Sequence, residues 1–227
     1  HPRQLQEMVV REKADLGIAH DGDADRLVAV DETGALVDGD YILSICGRYL
    51  INKGQLPQNT IVVTKYSNLG LKQSIKEAGG KVAVTKNGDR YVLAEMKENG
   101  YSLGGEKSGH IIFLDYNTTG DGVLTALQLI NIVKNTGQSL AQLREEMTEL
   151  PQLLVNVEVD NKSWENNKKI NDAIEKVEEK LAGTGRIFVR ASGTEPVIRI
   201  MVEGEDKKEL QKLADSVAEV VKEQLTM

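Results

Sequence analysis

The sequence predicts an α/β layer with a largely parallel sheet over its first 150 residues, followed by a small α+β domain of strand–helix–strand–strand–helix order. Three observations carry this. Short β-branched runs, such as Thr-Ile-Val-Val-Thr at 60–64, alternate with longer stretches of helical apolar spacing. That is the pattern of parallel strands joined by crossover helices. Pro151 then marks a change. From Leu153 onward the regular alternation gives way to one strand, a charged helix, two strands and a last helix.

Residues 5–11 read as a helix running straight into a strand at 14–19. A second strand, 27–30, follows an acidic loop, and Asp31-Glu32-Thr33-Gly34 is a turn. Apolar spacing through Ile42, Ile45, Tyr49 and Leu50 places a helix over 38–51, ended near Gly54. Strand 60–64 leads to a helix over 67–78, stopped by Gly79-Gly80. Strand 81–85, a helix over 88–98, and strands at 101–103 and 111–114 come next; a glycine-rich loop separates the last two. A long apolar helix covers 121–135, and Ser139 with Gln142 opens another as a capping box. In the C-terminal part, strands fall at 153–159, 186–190 and 197–203. A charged amphipathic helix spans 164–181, its charges forming a solvated face. The final helix, 206–225, starts with an Asp206/Glu209 capping box and buries Leu210, Leu213, Val217, Val221 and Leu225.

Of the 227 residues 40% are hydrophobic, enough for real cores, and the formal net charge is −7. That balance argues against a nucleic-acid binder, which shows a basic patch. No apolar run approaches the length of a membrane span, and the opening His1-Pro2-Arg3-Gln4 lacks a signal-peptide pattern. The single cysteine, Cys46, excludes an internal disulfide and fits a cytoplasmic setting. It reads as a small buried hydrophobe. A helix feeding at once into a strand is an abrupt start for a domain. The chain is therefore expected to be the C-terminal part of a longer polypeptide.

Asp21, Asp23 and Asp25 alternate with Gly22 and Ala24, and Arg26 follows. Three carboxylates this close repel one another unless a cation sits among them. Oxygen ligands select a hard divalent ion. An EF-hand would use Asp21, Asp23, Asp25 and Glu32, but it needs glycine where Arg26 stands and helices where strands are expected. An aspartyl nucleophile at a strand end is a second alternative, although three alternating acids look more like a cage. A solvated acidic turn is a poor reading between two buried strands.

The loop 104–110, Gly-Gly-Glu-Lys-Ser-Gly-His, sets Glu106, Ser108 and His110 between two strands. It matches neither a nucleophile elbow nor a P-loop. A Ser/His nucleophile pair and an ordinary glycine turn stay open. Carboxylate and hydroxyl groups suit the vicinal hydroxyls of a sugar, and Glu106 can accept two hydrogen bonds at once. In 190–196, Arg190, Ser192, Gly193 and Thr194, with Arg199 beyond, are the parts of an oxyanion cradle. A polar hairpin connection would not require two arginines, which match phosphate oxygens in pairs. A fourth stretch, 86–91, opens a helix, whose N-terminus favours anions. There Lys86 and Arg90 either meet a phosphate or move a proton, or they are surface charges beside a capping Asp89; both readings stand.

These loops together resemble the α-phosphohexomutase superfamily over essentially the whole chain. The carriers are 21–26, 104–110 and 190–196. Ser67-Asn68-Leu69-Gly70, Gly88-Asp89-Arg90-Tyr91 and Thr118-Thr119-Gly120-Asp121-Gly122 also match, and these lean toward the glucosamine branch. The resemblance implies four domains around a central cleft. This chain would supply the end of an α/β domain two (1–35), a complete α/β domain three (36–150) and the α+β domain four (153–227). It implies phosphoryl transfer between a phosphoserine on an absent domain and a hexosamine phosphate, by way of a bisphosphate. Asp21, Asp23 and Asp25 would hold Mg²⁺, with weak or no occupancy when the phosphoserine is missing. Arg26, with Lys86 and Arg90, would serve the reacting phosphate. Glu106, Ser108 and His110 would bind the sugar, and Arg190, Ser192, Gly193, Thr194 and Arg199 the phosphate that is not reacting. The implied partners are the substrate and the missing N-terminal domains of the same polypeptide, with a homodimer allowed and neither nucleic acid nor membrane. Alone, the chain is expected to be inactive. The alternatives are a glucose- or mannose-phosphate member, a non-catalytic sugar-phosphate receptor, or a calcium module. His20, where an apolar or aromatic residue is usual, is read as packing.

Overall fold

The computed structural model describes residues 2–226. The chain divides into two compact units, one ending at Glu149 and one beginning at Leu150.

The first unit opens with helix α1 (Arg3–Glu12) and three antiparallel strands, β1 (Leu16–His20), β2 (Leu27–Asp31) and β3 (Leu36–Val37). Leu16 pairs with Asp31 and His20 with Leu27, so the acidic stretch is the tip of a hairpin. At two residues, β3 is too short to show a period in sequence. Helix α2 (Gly39–Asn52) follows, capped by Asp38, whose carboxylate accepts from the Asp40 and Tyr41 N–H groups.

Then come β4 (Thr60–Thr64), α3 (Leu69–Glu77), β5 (Lys81–Thr85), α4 (Asp89–Asn99), β6 (Leu103–Gly105), β7 (Ile111–Phe113), α5 (Gly122–Thr136) and α6 (Leu140–Arg144). The sheet order is β5-β4-β6-β7. β4 runs parallel to β5 and β6, and β7 is antiparallel, the mixed, largely parallel sheet the sequence predicts. β4 is buried on both faces. Ile61 and Val63 join Ile42, Ile45, Leu71 and Ile75 in one core, while Val62 packs with Val92, Met96 and Ile112 in another. Helices α3 and α4 therefore lie on opposite faces.

This topology brings three of the candidate loops together. The carboxyl ends of the three parallel strands lie at one edge. The segments 65–68, 86–88 and 106–110 leave from that edge, next to the point where the crossover changes face. Open α/β sheets bind their ligands at such switch points.

The second unit runs β8 (Gln152–Glu158), α7 (Lys168–Lys180), β9 (Arg186–Ala191), β10 (Val197–Glu203) and α8 (Lys207–Leu225), the expected βαββα order. Its antiparallel sheet, ordered β8-β10-β9, carries both helices on the face of Val157, Val189, Ile198, Ile200 and Val202. The α8 stripe read from sequence is buried in full.

Several boundaries move. The strand expected at 101–103 lies at Leu103–Gly105, so two glycines read as loop are strand residues. A Cβ on Gly104 would sit 2.7 Å from Met96 Sδ and 2.9 Å from Val62 O, so the glycine answers close packing. The helix expected from 67 starts at Leu69, because Asn68 turns its side chain to the Gly70 N–H. The helix expected from 164 starts at Lys168, where Asn167 caps the Lys169 and Ile170 N–H groups. Asp206 caps α8 through Lys208 and Glu209; the full reciprocal box forms at Ser139 and Gln142. Among the described residues, no helix is long and apolar enough to cross a membrane.

Candidate functional site

At the β1–β2 hairpin tip, one carboxylate oxygen from each of Asp21, Asp23 and Asp25 lies within 4.8 Å of the others. Ala24 adopts φ +60°, and its carbonyl accepts the Gly122 N–H at 3.0 Å. Gly122 has no space for a side chain: a Cβ would sit 2.6 Å from Arg26 O. The Arg26 guanidinium lies 3.5 Å from Asp21 and 3.8 Å from Asp25. One cation against three acids leaves the tip net negative. Asp25 Oδ1 is buried without a hydrogen bond, its contact with Arg26 Nε being a long 3.8 Å, and a bound cation would complete its pairing. An all-oxygen set with an orphan carboxylate oxygen fits a hard divalent ion such as Mg²⁺. The flanking elements are strands, so the EF-hand reading falls.

His110 is 5% exposed. Its Nε2 accepts the Gly120 N–H at 3.0 Å, which places the ring proton on Nδ1, and Nδ1 donates to Asp25 Oδ2 at 3.0 Å. Both nitrogens are spent inside the protein. The expectation that His110 binds sugar is corrected: it holds an acid of the hairpin tip. His20, read as packing, is exposed, with Nδ1 3.2 Å from Arg26 O.

The loop after β6 lies against the same tip, where Gly109 O accepts the Leu27 N–H at 3.0 Å. Glu106 Oε1 accepts the Gly88 N–H at 3.0 Å, which ties this loop to the start of α4. Ser108 is exposed. Lys86 and Arg90 are exposed around the Tyr91 ring, 5.9 and 4.6 Å from its centre, and Arg90 Nη2 donates to Tyr91 Oη at 2.7 Å. Asp89 does not cap α4; it accepts from the Arg90 N–H. The acidic tip, Arg26, Glu106 and Gly88 are thus joined by backbone and side-chain bonds at one edge of the first unit.

Sequence reasoning missed two acids here. Asp40 is 1% exposed, and its Oδ2 accepts the Asn68 N–H at 2.9 Å. Burial pushes its carboxyl up to about 7 and holds neighbouring Asp38 above the usual carboxylate range. In sequence both look like ordinary helix-start acids. Cys46 is buried, and burial pushes its thiol up to about 12, so it is an inert core residue as read. A groove of about 800 Å³ beside Leu16, Glu32 and Lys134 lies at the opposite end of β1 from the acids.

In the second unit, Arg190 and Arg199 face each other in register across β9 and β10. Ser192 N donates to Val197 O at 2.9 Å, and Ser192 Oγ accepts the Glu195 N–H at 3.3 Å. Gly193 and Thr194 are exposed at the turn. Arg199 donates to the Glu195 carboxylate, and its Nε is buried without a partner. Lys162, which sequence reasoning missed, donates to Ser192 O at 2.8 Å and Glu195 O at 3.4 Å. Arg190, Arg199 and Lys162 thus lie around one exposed turn, with Arg199 paired to Glu195 and Lys162 to two carbonyls of the turn.

Residues 38–150 match the model for the phosphoglucomutase/phosphomannomutase alpha/beta/alpha domain III, and residues 154–220 match that for the phosphoglucomutase/phosphomannomutase C-terminal domain. The chain belongs to the phosphoglucomutase/phosphomannomutase family. Its curated relatives include the phosphoglucosamine mutase of Brevibacillus brevis, 53% identical over 226 residues, covering 99% of this chain and 50% of the relative. That of Desulforamulus reducens is 56% identical over 222 residues, with 97% and 50% covered. The chain spans about half the length of these curated relatives. The fold is also similar to Aspergillus fumigatus N-acetylphosphoglucosamine mutase, solved in complex with GlcNAc-6P and magnesium: TM-score 0.78, 24% identity, 92% of this chain and 49% of that chain covered.

Proposed function

We propose that this chain is the metal- and substrate-binding half of a phosphoglucosamine mutase that interconverts glucosamine 6-phosphate and glucosamine 1-phosphate. The observation that carries the reading is the acidic tip, with its orphan Asp25 oxygen, locked by His110 to the loop that holds Glu106 and Ser108. The names of the relatives support it. In this reading residues 1–35 close one domain, 36–150 form the next and 153–227 the last.

Asp21, Asp23 and Asp25 would hold Mg²⁺, which supplies Lewis-acid assistance to phosphoryl transfer when bound. Arg26, Lys86 and Arg90 meet the charge of the reacting phosphoryl group. Glu106 has one oxygen on Gly88 and keeps the other for a sugar hydroxyl, with Ser108 beside it. Arg190, Ser192, Gly193, Thr194 and Arg199 grip the phosphate that is not reacting, and that remote grip orients the sugar. The phosphoryl donor is a phosphoserine elsewhere in the longer polypeptide. It phosphorylates glucosamine 6-phosphate, the bisphosphate turns over, and its other phosphate returns to the serine. The setting is the cytoplasm, and the product feeds amino-sugar nucleotide synthesis for peptidoglycan.

The test compares this chain with the longer polypeptide by phosphorus NMR of glucosamine 6-phosphate. The longer polypeptide should isomerise the substrate in a magnesium-dependent way, and the chain alone should bind it without turnover. Turnover by the chain alone would overturn the phosphoserine mechanism.

A further inference from the structure

We propose that Lys107 is the positioning residue of the sugar-binding loop and acts by tying that loop to Asp38 and Glu149. The inference rests on the reading of Glu106 and Ser108 as sugar ligands. Lys107 lies between them in sequence, but its ammonium points away from that task. Nζ is 2.8 Å from Glu149 Oε1 and 3.8 Å from Asp38 Oδ2, with about one third of the side chain exposed.

The backbone makes the same junction. Lys107 O accepts the Gly39 N–H at 3.1 Å. The two segments lie so close that a Cβ on Gly39 would sit 2.1 Å from Glu106 O and 2.9 Å from Lys107 O. The loop therefore rests directly on the first turn of α2, where Asp38 and the buried Asp40 also stand. With Glu149 that makes three acids around one contact. The helix N-terminus tempers their charge, and Lys107 supplies a cation among them. Burial would lower the Lys107 pKa, but the Glu149 hydrogen bond and the Asp38, Glu149 and Asp40 charges raise it on balance. The ammonium stays charged. Glu149 is also the last residue of the first unit, so Lys107 fixes the loop and the chain's exit at one point.

Without this cation the loop loses its side-chain tie to Asp38 and Glu149. Two bonds report its position: Gly88 N–H to Glu106 Oε1, and Gly109 N–H to Glu106 O, each 3.0 Å. The experiment compares Lys107→Met and Lys107→Arg with the wild-type chain. Binding of glucosamine 6-phosphate and of inorganic phosphate is followed by NMR titration, and exchange is followed at the Gly88 and Gly109 amides. Lys107→Met should bind glucosamine 6-phosphate about tenfold more weakly and leave inorganic phosphate within about twofold. Both amides should exchange faster. Lys107→Arg should restore all three. Glu149→Gln, which keeps the lysine, should move the amides the same way if Lys107→Met fails to fold. Unchanged amide exchange in these variants overturns the proposal, as does equal loss of both ligands. If the wild type binds glucosamine 6-phosphate no better than inorganic phosphate, the sugar reading fails, while the amide response still decides whether Lys107 holds the loop.

Discussion

The Nδ1–H of His110 meets Asp25 Oδ2 at 3.0 Å while its Nε2 receives the Gly120 N–H at the same distance. One imidazole thereby joins the acidic hairpin tip, the end of the 104–110 loop and the turn before α5. In the proposed metal site its role is to aim a carboxylate. Groups that orient a ligand typically cost about ten- to a hundredfold in metal affinity when removed. His110→Phe should weaken Mn²⁺ binding, read by electron paramagnetic resonance titration, by that range. His110→Asn, which keeps an N–H near the Nδ1 position, should recover most of it. Equal affinity in all three proteins would show that Asp25 needs no such support.

Two glycines are required by backbone approach. A Cβ on Gly39 would meet Glu106 O at 2.1 Å, and one on Gly109, at φ +91°, would meet Leu27 O at 2.1 Å. Neither neighbour is a flexible side-chain end that can swing aside. Gly39→Ala and Gly109→Ala should each destabilise the chain by about 1–3 kcal/mol or more. Gly22 has nothing within 4 Å of its Cβ position, so Gly22→Ala should stay within about 0.5 kcal/mol of wild type. Urea unfolding separates the cases, and a Gly39→Ala protein as stable as Gly22→Ala would contradict the close approach.

Asp40 gives stability a pH signature. Its carboxyl titrates at about 7 in the folded chain, against 3.8 when unperturbed. Between those values the folded state keeps a proton that the unfolded state has lost, so stability falls as pH rises through the window. Asp38 shifts in the same direction. Asp31 works the other way. Burial would raise it, but bonds from Thr33, Ala35 and Arg144 hold it below 3.8, so its contribution is present above 3.8 and fades at lower pH. Asp40→Asn keeps an acceptor for the Asn68 N–H and removes the ionisation. It should flatten the decline across the window and exceed wild type above it by on the order of a few kcal/mol. Unfolding midpoints across that range test this, and parallel curves for the two proteins would refute it.

Elements with a local period were legible in sequence. The 60–64 strand falls where its β-branched run places it, and all five apolar positions of the α8 stripe are buried. The candidate loops stood out in sequence by residue type alone, through three alternating acids and paired arginines. Direction was not legible. His110 is 85 positions from Asp25, and nothing near it in sequence says that its ring turns inward. Gly104 looks like loop and is strand because it pairs with Val62 on one side and Ile112 on the other. Asp40 looks like a helix-start acid until the Asn68 segment closes over it. In each case the missing information is a through-space neighbour.

Lys162 is another such neighbour, and it bears on the proposed phosphate cradle. It donates to the carbonyls of Ser192 and Glu195, which bracket the exposed Gly193-Thr194 turn. It can act in two ways: by holding the turn in shape, or by adding a charge beside Arg190 and Arg199. Lys162→Gln keeps a donor and removes the charge; Lys162→Met removes both. If charge dominates, the two variants should bind inorganic phosphate equally weakly, about three- to tenfold below wild type at low salt, and the gap should narrow as salt screens the site. If shape dominates, glutamine should rescue what methionine loses, and salt should matter little. The ammonium rests on two carbonyl oxygens of the turn, and that spends two of its three donors on shape, so the glutamine rescue is the expected result. Wild-type affinity in both variants would remove Lys162 from the cradle.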